Sequence, residues 1–232
     1  MVIRIPPRLM SVADLVIAGE PVADIGSDHA LLACYLVREG CCPRAICGEL
    51  GDGPYRRTLE AVFRHGLHHL IEVRQGNGLE VLAEGEVATV VLAGMGGNTI
   101  VNILNASPAK TQSFKRLVLQ PMNALGQVRR LADSRGWSIE KETVVKDGDY
   151  YVNLVLNPRS RQEHKLSETE LRWGPLLMRD ATEEPVVRDY FRFHLDKLER
   201  IIAGIPDQST GRSLMRKREY EKRKKELEEI LR

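Results

Sequence analysis

The segment Val22-Ala23-Asp24-Ile25-Gly26-Ser27-Asp28-His29-Ala30-Leu31-Leu32 decides how this chain folds. Val22 to Ile25 is a short apolar run of strand character, Gly26 breaks it, and Ala30 to Val37 continues as an apolar stretch of helical character. Strand, glycine turn and helix make the opening unit of an alternating α/β fold. The unit repeats at once: Ala45 to Glu49 reads as a second strand, followed by a helix capped by Asp52, with Pro54 in its first turn and Leu59, Val62 and Phe63 on its apolar face.

Further on, Ile71 to Val73 predicts a third strand, and Val87 to Ala93 a fourth that is apolar enough to be buried on both faces. Asn98 to Leu104 predicts a helix and Leu117 to Leu119 the fifth strand. After Pro121 comes a helical pattern on Leu125, Val128 and Leu131. Two alternating strands, Ser138 to Val145 and Tyr150 to Leu156, are joined by Asp147-Gly148 as an antiparallel pair. The expectation is a mostly parallel seven-stranded sheet with a terminal antiparallel hairpin, and a ligand beyond the carboxyl ends of its strands.

From about Asn157 the strand-like runs stop. Val187, Tyr190, Phe191, His194, Leu195, Leu198, Ile201, Ile202 and Ile205 recur at helical intervals, and Gly204 and Pro206 end that helix. A last helix from Ser213 to Leu231 has a thinner stripe, so residues 159–232 are expected to form a C-terminal helical, coiled-coil-like hairpin beside a domain over 1–158. Residues 1–160 balance 17 basic against 17 acidic side chains, whereas the rest holds 17 against 15. Arg212 to Lys225 concentrates eight basic residues against Glu219 and Glu221, an excess suited to a polyanion.

Composition excludes several classes. In 232 residues, 43% are hydrophobic and 28% charged, which rules out disorder and collagen-like structure. Runs such as Val87 to Met95 fall far short of the roughly 18 to 20 apolar residues of a membrane-spanning helix, and the first ten residues do not read as a secretory signal. A cytoplasmic chain without a membrane partner is expected. Cys34, Cys41, Cys42 and Cys47 lack the paired spacing of a zinc site and read as reduced, buried thiols, so no metal is expected.

The chemistry gathers at the strand ends. A dinucleotide turn needs three glycines to cradle a pyrophosphate; this turn has only Gly26, flanked by Asp24 and Asp28. Carboxylates there disfavour a pyrophosphate and favour a cofactor carrying a sulfonium and an amino group, so S-adenosylmethionine fits better than NAD. Glu49, 25 residues after Asp24, ends the second strand where a carboxylate can accept hydrogen bonds from both ribose hydroxyls. Gly76-Asn77-Gly78 is a tight turn whose amide can meet an adenine edge. Ala93-Gly94-Met95-Gly96-Gly97-Asn98 puts nearly bare backbone beside the place of a transferred methyl group, and lacks the prolines and aromatic residue of amino-group methyltransferases.

At these residues the sequence resembles the bacterial tRNA adenine-22 N1-methyltransferase family, TrmK. The resemblance rests on Arg8-Leu9, VADIGSDHALL (22–32), GEL and GPY (48–55), VRQGNGLEVL (73–82), VLAGMGGNTIVNIL (91–104), LVLQPMNA (117–124) and GDYYVNLVL (148–156). It implies a Rossmann-like class I methyltransferase fold and transfer of a methyl group from S-adenosyl-L-methionine to N1 of adenine 22 in tRNA. It also implies cofactor roles for Gly26, Ser27, Asp28, His29, Glu49, Gly76, Asn77, Gly78, Gly94 and Met95, to which the charge argument adds Asp24. Asn77 departs from the aspartate more usual there.

Neutral adenine N1 carries an in-plane lone pair, so no strong base is required and positioning is the main catalytic device. Asp28 is the candidate to stabilise developing charge or accept a hydrogen bond from N6, with His29 and Asn98 behind it. The base must be unpaired or extruded, with Tyr55 or Tyr35 as stacking partners. Phosphate contacts are expected from Arg8, Arg56, Arg57, Arg129, Arg130, Arg216 and Lys217. The alternatives are a methyltransferase of another acceptor, whether RNA, protein or metabolite, and a non-catalytic RNA-binding module on the same fold.

Overall fold

The computed structural model describes residues 2–206 and 211–232. The chain divides into two compact units, Met1–Leu166 and Ser167–Arg232.

In the first unit, a short helix α1 (Pro7–Ala13) precedes β1 (Val22–Ile25), α2 (Leu31–Arg38), β2 (Ala45–Glu49), α3 (Asp52–Arg64) and β3 (Ile71–Gln75). A 3-10 turn (Gly78–Val81) leads to β4 (Thr89–Met95), α4 (Gly97–Ala106), α5 (Pro108–Ser113), β5 (Arg116–Pro121) and α6 (Leu125–Arg135). The hairpin β6 (Trp137–Asp147) and β7 (Asp149–Arg161) closes it. All seven expected strands form, and the sheet order is β3-β2-β1-β4-β5-β7-β6. The β1–β2, β1–β4, β2–β3 and β4–β5 pairs are parallel, while β7 runs antiparallel to both β5 and β6.

The topology explains the sequence texture. Val90, Val91, Leu92, Leu117, Val118 and Leu119 are fully buried because central strands are covered on both faces. The chain leaves β1 toward β2 and β3, then returns to the other side of β1 as β4, so the carboxyl ends of β1 and β4 border the crevice where ligands bind in such sheets. On the face covered by α1 and α2, Val22, Val91, Val118 and Val155 join one apolar core with Val12, Leu32 and Leu36. Side chains on a strand alternate faces. Two residues along, on that same face and toward the ligand rim, therefore stand Asp24, Ala93, Gln120 and, on the reversed β7, Asn153.

The second unit contains α7 (Glu168–Trp173), α8 (Pro175–Asp180), α9 (Pro185–Ala203) and α10 (Arg212–Ile230). Ser167 opens it with a capping box to Glu170. Helices α9 and α10 pack together, with Leu198 and Leu227 buried and Lys224 Nζ 2.9 Å from Glu199 Oε1. Arg172 Nη1 reaches Glu226 Oε2 at 2.6 Å within the unit. Among the described residues no helix is long and apolar enough to cross a membrane. All four cysteines are free thiols.

Candidate active site

The turn after β1 is conformationally unusual. Gly26 has φ +73°, and three successive residues that are not glycine, Asp28, His29 and Ala30, have φ of 26°, 75° and 52°. Such conformations cost on the order of 1 to 3 kcal/mol each and persist only where surroundings impose them. Glu49 does so from the end of β2. Its Oε1 accepts the Asp28 backbone N–H at 2.8 Å, the Ser27 hydroxyl at 3.3 Å and the Thr58 hydroxyl at 3.0 Å. The Gly26 N–H donates to the Gly48 carbonyl at 2.8 Å. A side chain at Gly26 would meet Met95 Cε at 3.1 Å, so both φ and space require glycine there.

The oxygen Oε2 of Glu49 takes no hydrogen bond from the described residues, although the side chain is only 4% exposed. It is free to accept from hydroxyls. Asp24, also 4% exposed, makes no side-chain hydrogen bond among the described residues, and its pKa is pushed up to about 7 by burial first and by the charge of Glu49 second. A buried Asp24 carboxyl beside a second buried acid calls for a cation and hydroxyl donors. Burial also lifts the neighbouring Cys47 thiol well above its ordinary value, which makes it inert.

The remaining strand ends complete the crevice. The Gly76 N–H donates to the Glu49 carbonyl at 2.9 Å, which brings the Gly76-Asn77-Gly78 turn beside the acid. A Cβ at Gly76 would sit 2.7 Å from Val81 Cγ1, and one at Gly78 2.9 Å from Ile103 Cγ2. Asn77 is exposed and its carboxamide is unengaged by the described residues, so it is available to a base edge. On β4, Gly94 has φ +76° and Met95 accepts the Met122 N–H at 2.9 Å. A Cβ on Gly97 would strike the Asn123 and Ala124 carbonyl oxygens at 2.5 and 2.8 Å. Backbone thus lies on backbone where β4 turns into α4.

Asp28 and His29 are exposed, their side chains 3.7 Å apart, and Arg57 Nη2 is 3.1 Å from Asp28 Oδ1. Asn98 is exposed in the first turn of α4. Tyr55 is half-buried in the first turn of α3, and Tyr35, on α2, is half-buried and packs against the apolar core.

Of the expected phosphate contacts, Arg56 and Arg130 are exposed, and Arg57 is engaged by Asp28. Arg216 and Lys217 lie on α10, where Arg216 Nη2 donates to the Tyr220 hydroxyl at 3.2 Å. Arg129 is a correction. It is 1% exposed and its Nε meets Glu142 Oε1 at 2.7 Å, so it is a structural partner of β6 and cannot reach a phosphate. Gln120, Asn153 and Tyr151 also lie at this rim, and the signal for the two amides is a Gln and an Asn inside the apolar strands LVLQP and YYVNLVL.

The reversed seventh strand, the glycine turn held by an acid from β2 and the bare β4 turn define a Rossmann-like methyltransferase. A ribosomal protein L11 methylase from Lactobacillus delbrueckii shares the fold, with TM-score 0.54 and 12% identity over 67% of this chain and 77% of that one. The family model described as TrmK, tRNA (adenine(22)-N(1))-methyltransferase, matches residues 22–231, and the chain belongs to that family. It is 38% identical to the Bacillus subtilis tRNA (adenine(22)-N(1))-methyltransferase over 160 residues, covering 68% of this chain and 67% of the relative. The crystal structure of the B. subtilis M1A22 tRNA methyltransferase TrmK superposes with TM-score 0.87 at 31% identity, covering 99% of this chain and 100% of that one. A Streptococcus pneumoniae protein solved with S-adenosyl-L-methionine gives TM-score 0.86 and 31% identity over 99% and 100%.

Proposed function

We propose that this chain uses S-adenosylmethionine to methylate N1 of adenine 22 in tRNA, acting in the cytoplasm. The observation that carries this reading is Glu49, which fixes the β1 turn with one carboxylate oxygen and leaves the other open at the crevice. The residues present suit the cofactor: Glu49 Oε2 for the ribose hydroxyls, Asn77 for the adenine edge, buried Asp24 for net positive charge, and Gly26 beneath Met95 for close approach. When bound, S-adenosylmethionine supplies an electrophilic methyl group.

The chain's own task is to align and to exclude. Gly94 and Gly97 keep side chains out of the β4 turn, so a flat base can enter edge-on. Adenine N1 needs no deprotonation, and alignment at about 3 to 3.5 Å supplies most of the acceleration. Asp28, at present paired with Arg57, offers a carboxylate to N6 or to the charge that develops on the base. The first unit holds the cofactor, and the helical second unit contributes Arg216 and Lys217 to the tRNA phosphates.

The test is methylation of two tRNA transcripts, one with adenine at position 22 and one with that base changed, followed by digestion and mass spectrometry. Label at N1 of adenine 22 in the first and none in the second is expected. Equal labelling of both overturns the assignment.

A further inference from the structure

Beyond the cofactor crevice, the structure contains a buried polar network that ties α1 to β5, β6 and β7. Gln120 and Asn153 are fully buried in adjacent strands, Gln120 between Leu119 and Pro121 and Asn153 between Val152 and Leu154. Gln120 Nε2 donates to Asn153 Oδ1 at 2.7 Å and to the Arg8 carbonyl at 3.1 Å. Asn153 Nδ2 donates to the Ser11 hydroxyl at 3.0 Å and the Thr143 hydroxyl at 3.1 Å. Arg8 Nη1 donates to Gln120 Oε1 at 3.4 Å, and its backbone N–H to Asp147 Oδ2 at 3.2 Å. Burying amides costs free energy unless every group is met, and a fully connected network fixes geometry more sharply than apolar packing.

What the network fixes is the Arg8 guanidinium. It lies 5.8 Å from the centroid of the Tyr151 ring, and its Nη1 is 3.7 Å from where a Gly94 Cβ would stand. The β5–β7 register pairs Leu119 with Leu154; continued past the end of β5, it sets Tyr151 level with Met122 on the ligand rim. Tyr151 is half-buried. Among the described residues its hydroxyl makes no hydrogen bond and its ring has no partner besides Arg8. Arg8 Nε and Nη2 are likewise uncommitted among those residues.

We propose that Tyr151 and Arg8 form the clamp for the extruded target nucleotide, the base stacking on the Tyr151 ring and its phosphate held by the free edge of Arg8. Gln120 and Asn153 are the positioning residues behind it. The chemistry matches each part: every base offers a π-face to an aromatic ring, and guanidinium binds phosphate oxygens through paired N–H donors. The clamp borders Gly94, so a base held there presents its edge to the bare β4 turn. The inference rests on the proposed methylation of adenine 22 and adds the residues that hold the nucleotide.

The experiment compares the full chain with its Tyr151→Leu, Tyr151→Phe and Arg8→Met variants, using a tRNA transcript and, in parallel, the same transcript carrying 2-aminopurine at position 22. Tyr151→Leu is expected to lower kcat/KM for tRNA by about tenfold or more, the range expected for one base–aromatic stack. Tyr151→Phe should recover most of that loss, and cofactor affinity should stay within about twofold. The 2-aminopurine complex should be brighter with Tyr151→Leu than with the unaltered chain, since stacking quenches it; a merely structural role would not move this signal. Arg8→Met should flatten the salt dependence of tRNA binding by about one phosphate contact, which keeps the clamp testable should Tyr151→Leu fail to fold. Methylation of adenine 22 by the unaltered chain together with unimpaired turnover in Tyr151→Leu overturns the clamp alone. An unaltered chain that leaves adenine 22 unmodified overturns the functional reading and the clamp with it.

Discussion

The carboxylate of Glu49 accepts the backbone N–H of Asp28 at 2.8 Å, so the acid closing the second strand dictates the shape of the turn closing the first. Glu49→Ala removes charge-assisted hydrogen bonds worth about 1 to 3 kcal/mol. A fall in cofactor affinity of roughly tenfold to a hundredfold is expected by isothermal calorimetry. Thr58→Val, which removes only the hydroxyl donor to the same oxygen at 3.0 Å, should have a much smaller effect. Unchanged affinity in Glu49→Ala would rule out the ribose contact.

Asp24 predicts how the protein responds to pH. Its folded pKa of about 7 stands above the ordinary 3.8, so between those values the folded state binds more protons than the unfolded one. Its contribution to stability is therefore full below about pH 4, is lost progressively as pH rises toward 7, and changes little above that. A cationic cofactor favours the ionised form, so affinity should increase as pH rises through 7 and binding near pH 6 should release a proton. Calorimetry in buffers of different ionisation enthalpy reads that proton, and Asp24→Asn should abolish its release.

Gly97→Ala tests the contact of backbone on backbone. Its Cβ would meet two carbonyl oxygens at 2.5 and 2.8 Å, and neither can rotate away as a side chain could. Overpacking of this kind costs about 1 to 3 kcal/mol, and a chain of this size loses about 2 to 4 °C in Tm per kcal/mol. A thermal melt lowered by several degrees is expected, with turnover reduced more than folding alone explains.

Arg129→Ala leaves Glu142 buried and without its 2.7 Å partner. Loss of one member of a buried pair costs about 3 to 5 kcal/mol. The expected result in denaturant is a large loss of stability, with tRNA affinity per folded molecule unchanged. Weaker tRNA binding in the folded fraction would return Arg129 to the nucleic-acid surface.

The central strands were legible as short apolar runs buried on both faces, and the last two as alternating segments joined by Asp147-Gly148. Glu49, Gly26 and the β4 glycines were legible as turn and strand-end residues because their positions follow from where each strand stops. Helices α1 and α5, of seven and six residues, are too short for a 3.6-residue period to emerge. Arg129 read as surface because the sequence of α6 does not reveal which strand faces it; Glu142 settles that only once β6 is in register. The amides of Gln120 and Asn153 are 33 residues apart and meet through the antiparallel register of β7, which no local pattern encodes.

The left-handed run from Asp28 to Ala30 links two traits that could otherwise drift apart in evolution. A lineage that exchanged the acid at 49 would at the same stroke release the left-handed loop that its carboxylate holds. Descendants changing that acid should therefore show compensating substitutions at 28 to 30, and an engineer altering donor preference must redesign both strand ends together.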